Sequence, residues 1–63
     1  MRIRVVGRGE VTAEEFERLV LDYMNSRGPE PVLEGTEEEK FRILQYMAER
    51  AEGQTRAVFE RFR

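Results

Sequence analysis

The chain has 63 residues, 40% hydrophobic and 38% charged, with a net charge of −2 and neither cysteine nor histidine. That length makes one domain, 1–63, and so short a chain buries only about 60% of the surface its unfolded form exposes. Disulfides are excluded and zinc or haem would lack its usual ligands, which leaves oligomerisation as the common way to reinforce a small core.

Residues 2–6, Arg-Ile-Arg-Val-Val, begin with alternation and are β-branched. They predict a strand with Ile3 and Val5 inward and Arg2 and Arg4 outward. Gly7-Arg8-Gly9 ends it, and Glu10-Val11 is either a short return strand or the entry to a helix. Thr12-Ala13-Glu14-Glu15 reads as a capping box, with Thr12 as the cap and Glu15 reaching back. The helix it opens spans 13–27, with Phe16, Leu19, Val20 and Tyr23 on one face and Gly28-Pro29 as the stop. Glu14, Arg18 and Asp22 form an i, i+4 ladder on the opposite, solvated side. Residues 28–36 are a connector stiffened by Pro29 and Pro31, with Val32 and Leu33 expected to pin it to the core.

Thr36-Glu37-Glu38-Glu39 is a second capping box, and its three glutamates suit the positive end of a helix dipole better than a metal. The hydrophobic set that follows keeps one phase through Gly53: Phe41, Leu44, Met47, Ala48, Ala51, Val58, Phe59 and Phe62. One helix over 37–62 would be about 39 Å long, against about 23 Å for the first helix. Its far end would then need a partner to cover it. The competing reading is a break at Gly53, with residues 54–62 folding back as a third helix; glycine costs about 1 kcal/mol inside a helix. The i, i+4 pairs Glu52–Arg56 and Arg56–Glu60 favour continuity. The expected fold is therefore α+β: a short N-terminal strand or hairpin, then two helices, the second long, with a bend at Gly53 as the alternative. The expected core is Ile3, Val5, Phe16, Leu19, Val20, Tyr23, Phe41, Leu44, Met47 and Ala48.

Chemistry is sparse. The only Ser is Ser26, two of the three Thr are committed to caps, and Lys40 follows three glutamates on an exposed first turn. A nucleophile with a nearby base is not on offer, and Gly7-Arg8-Gly9 lacks the further glycine and lysine of a phosphate loop. The chain is read as non-enzymatic, with no catalytic residue, cofactor or metal. No apolar run approaches the roughly 20 residues of a membrane span, so a cytoplasmic protein without membrane contact is expected.

Charge is unevenly placed: residues 1–9 carry +3, residues 10–39 carry −8 and residues 40–63 carry +3. An acidic middle between basic ends favours pairing between molecules. The function expected is self-association, most simply as a homodimer that engages a further protein. Leu44, Met47, Ala51, Val58, Phe59 and Phe62 are its contact residues. The alternative starts from Arg2, Arg4 and Arg8. Strand, helix, helix with two arginines on one strand face loosely resembles the ribbon-helix-helix repressors over residues 2–52. That resemblance implies a dimer whose paired strands present polar side chains to the DNA major groove. The chain departs from that family in its five-residue gap before the first helix, its long connector and the glutamates opening its second helix, which would repel a phosphate there.

Overall fold

The computed structural model describes residues 1–61. β1 (Ile3–Val5) and β2 (Gly9–Val11) form an antiparallel hairpin that sets Ile3 opposite Val11, Arg4 opposite Glu10 and Val5 opposite Gly9. The turn is closed by the Arg8 amide, which donates to the Val5 carbonyl at 3.0 Å. Gly7 sits at φ +82°, a conformation that L side chains rarely adopt. Glu10-Val11 is thus a return strand. The other edge of β1 is taken by the connector: Val5 bridges Leu33, the Val6 amide donates to the Val32 carbonyl, and the Glu34 amide donates to the Arg4 carbonyl. Leu33 packs on the core as expected, whereas Val32 is 52% exposed.

α1 (Ala13–Met24) starts with the complete capping box: the Glu15 amide donates to the Thr12 hydroxyl, and the Thr12 amide to the Glu15 carboxylate. It stops three residues before the expected end at Arg27. Asn25 is the cap, the Ser26 amide donates to the Tyr23 carbonyl, and the Arg27 amide donates to the Asp22 carbonyl. Those two bonds are the Schellman pattern, and its left-handed residue is Ser26 at φ +57°, not Gly28.

α2 (Glu37–Arg50) opens with the second capping box, made by Thr36 and Glu39 in the same reciprocal way. The single helix over 37–62 is not what forms. Ala51 leaves the helix at φ −79° and ψ 160°, its amide closing the last turn on Met47. α3 (Gly53–Arg61) then begins at Gly53 with φ +63°. The molecule measures 26 × 23 × 16 Å, too short in every direction for a 39 Å rod. Arg56 pairs with Glu60 within α3 at 3.1 Å; Glu52, between the two helices, makes no ion pair with Arg56 among the described residues.

The physical reason is that folding back gives the C-terminal apolar residues a home in the same chain. Phe59 is 1% exposed and its ring lies 5.8 Å from that of Phe16 on α1. The core is Ile3, Val5, Phe16, Val20, Ile43, Met47, Ala48, Ala51 and Phe59, with Leu19, Leu44 and Val58 packed around it. Two expected members are corrected: Tyr23 and Phe41 are 43% and 46% exposed. Ile43 takes the place on α2 that the phase through Phe41 and Phe59 had assigned elsewhere.

Candidate protein-contact surface

Folding back α3 divides the six expected contact residues. Met47, Ala51 and Phe59 are buried inside this chain and present no surface to another. Leu44 and Val58 are half-buried and line an open cleft. Phe62 lies outside the described residues. What joins Leu44 and Val58 is thus not a helical stripe but the meeting of α2 and α3 beside the end of α1 and the connector.

The cleft has a volume of about 610 Å³. Its floor is Phe16, Val20 and Phe59, and its walls are Leu44 and Val58 on one side and Leu33 on the other. Its rim carries Tyr23, Met24 and Val32, which are among the most exposed large apolar side chains of the molecule at 43%, 36% and 52%. The position of each follows from local structure. Early termination of α1 at Met24 turns Tyr23 and Met24 outward, and the hydrogen bonds from Val6 and Glu34 hold Val32 beside β1. Sequence reading missed this surface because it depends on three helix ends and a loop converging. The one available signal was Val32, an aliphatic residue flanked by Pro31 in a loop.

The cleft is polar at its margins. Glu30 lies on the connector side, and Lys40 and Arg61 lie on the sides of α2 and α3. Hydrogen bonding to Glu30, and then its negative charge, hold the Tyr23 phenol above its ordinary pKa. Lys40 is paired with Glu37 at 3.1 Å, a partner almost wholly in solvent. Among the described residues no group of three acidic, cysteine or histidine side chains could hold a metal ion, and no helix is long and apolar enough to cross a membrane.

The basic N-terminal residues are disposed differently. Arg2, Arg4 and Arg8 are all exposed. Arg4 stands opposite Glu10 across the hairpin, and its charge helps hold the Glu39 carboxyl below the ordinary range, behind the larger effect of hydrogen bonds from Thr36. Both edges of β1 are occupied within the chain, one by β2 and one by the connector. A further polar cluster lies across α1 and α2: Arg50 donates to the Tyr46 hydroxyl at 2.9 Å, packs over its ring and reaches Glu14 at 3.4 Å. Comparison with known protein families, with curated proteins and with solved structures finds no match.

Proposed function

We propose that the chain is a small non-enzymatic protein that works through protein contacts and first associates with a second copy of itself. The observation that carries this reading is the apolar cleft whose rim leaves Tyr23, Met24 and Val32 in solvent. Contiguous exposed apolar surface marks interaction sites on small proteins. A chain of 63 residues without cysteine or histidine gains more than most from covering such a surface. The contact residues in this reading are Leu44 and Val58 with Tyr23, Met24 and Val32, in place of the buried Met47, Ala51 and Phe59.

Sedimentation velocity from micromolar to millimolar concentration tests it. Twice the monomer mass is expected, and Val32→Asp, which changes an exposed loop residue, should shift the equilibrium to monomer without altering the helical circular dichroism. A wild-type monomer across that range would sink the reading. The DNA-binding alternative draws less support from the same surface, because a strand with both edges occupied cannot pair with its counterpart in a second chain. Arg4 is also surrounded by the chain's own acids. A gel shift at low salt is its test, since phosphate contacts bind most tightly there.

A further inference from the structure

The cleft is apolar at its centre and carries opposite charges on opposite margins. Glu30 stands on the connector side, while Lys40 and Arg61 stand across from it on α2 and α3. A two-fold contact places the same patch on both partners, so any residue that meets another is met by it in return. A patch with an acid on one margin and bases on the other is complementary to its own copy when rotated by half a turn. A patch with one sign of charge would repel its copy.

We infer that two copies pack cleft to cleft about a two-fold axis, with Glu30 of each chain against Lys40 and Arg61 of the other and Tyr23, Met24 and Val32 buried between them. This rests on the self-association proposed above and adds its geometry and its register. The apolar rim supplies the surface removed from water, and the charges choose the orientation. Lys40 can turn to the partner's Glu30 at little cost, because its present partner Glu37 is 95% exposed and exposed ion pairs are weak. The acidic connector side and the basic α3 end of the cleft also follow the charge pattern of the sequence, −8 over residues 10–39 and +3 over residues 40–63.

Charge reversal tests the arrangement with three samples followed by sedimentation velocity, and with circular dichroism to confirm folding. Glu30→Lys alone, and Lys40→Glu combined with Arg61→Glu, should each weaken self-association by about tenfold or more, because like charges then face each other. An equimolar mixture of the two reversed proteins should recover a dimer, now a heterodimer. A wild-type monomer would remove both this arrangement and the self-association beneath it. A wild-type dimer that tolerates both reversals unchanged would overturn this arrangement alone. So would reversed proteins that weaken singly and fail to associate when mixed.

Discussion

Ser26 holds the left-handed position of a Schellman motif at φ +57°, where glycine is the usual occupant. A side chain with a Cβ pays about 1–2 kcal/mol for that conformation, and nothing in the hydrogen bonding of the motif involves the Ser26 hydroxyl. Ser26→Gly is therefore expected to stabilise the protein by about 0.5–1 kcal/mol, read as a higher urea midpoint with an unchanged slope. The two capping glutamates make a different kind of prediction. Backbone and side-chain hydrogen bonds from Thr12 and Thr36 hold Glu15 and Glu39 below the ordinary glutamate value of 4.5. A carboxyl whose folded pKa is depressed contributes stability that is present above its unfolded pKa and is lost as pH falls through its folded pKa. Stability should accordingly decline below about pH 4.5, and the Glu15→Gln, Glu39→Gln double variant should decline less steeply over that window. An acid titration of the urea midpoint that is equally steep in both proteins would contradict this account.

At the scale of elements, the joint between α2 and α3 decides the architecture, and Gly53 reports on it. With φ at +63° and nothing within 4 Å of an added Cβ, Gly53→Ala meets no clash but forces a left-handed alanine. It should destabilise by about 1 kcal/mol. In a continuous helix the same change would stabilise by about that amount, since alanine is the better helix former. The sign of one thermal-melt shift thus separates the two architectures. The joint was hard to read because the apolar pattern of α2 and that of α3 happen to stay in phase across two non-helical residues, Ala51 and Glu52. Once residues after Ala51 are set aside, Ile43, Leu44, Met47, Ala48 and Ala51 form an ordinary buried stripe and Phe41 falls to its edge. The helix starts were legible for the opposite reason. Thr12 with Glu15 and Thr36 with Glu39 each satisfy both bonds of a capping box within four residues, so tertiary context adds nothing to the signal. Thr12→Ala and Thr36→Ala should each cost about 1 kcal/mol, measured by chemical denaturation. The cleft, which needs four elements to meet, had no comparable local signature.

For the whole molecule, the consequence of folding α3 back is that the C-terminal aromatics move from assembly to stability. Phe59 is 1% exposed and stacks at a tilt against Phe16, joining the last helix to the first. Removing a buried phenylalanine costs about 3–5 kcal/mol through lost transfer energy and the cavity left behind. Domains of this size are stable by only about 3–9 kcal/mol in total, taking roughly 0.05–0.15 kcal/mol per residue. Phe59→Ala should consequently leave a large share of the chain unfolded at 37 °C. Val32→Asp, on the cleft rim, should leave the monomer's stability nearly unchanged while weakening association. The two variants separate the roles of core and surface when thermal melting and sedimentation are measured on both. If Phe59→Ala instead melts like the wild type and only its mass changes, Phe59 belongs to an interface, and the extended helix would have to be restored as the state in solution. The reasoning runs from one backbone angle to the assembly. Ala51 at ψ 160° ends α2, the return of α3 fills the core with Phe59, and the apolar surface left to a second copy is the rim built by Tyr23, Met24 and Val32.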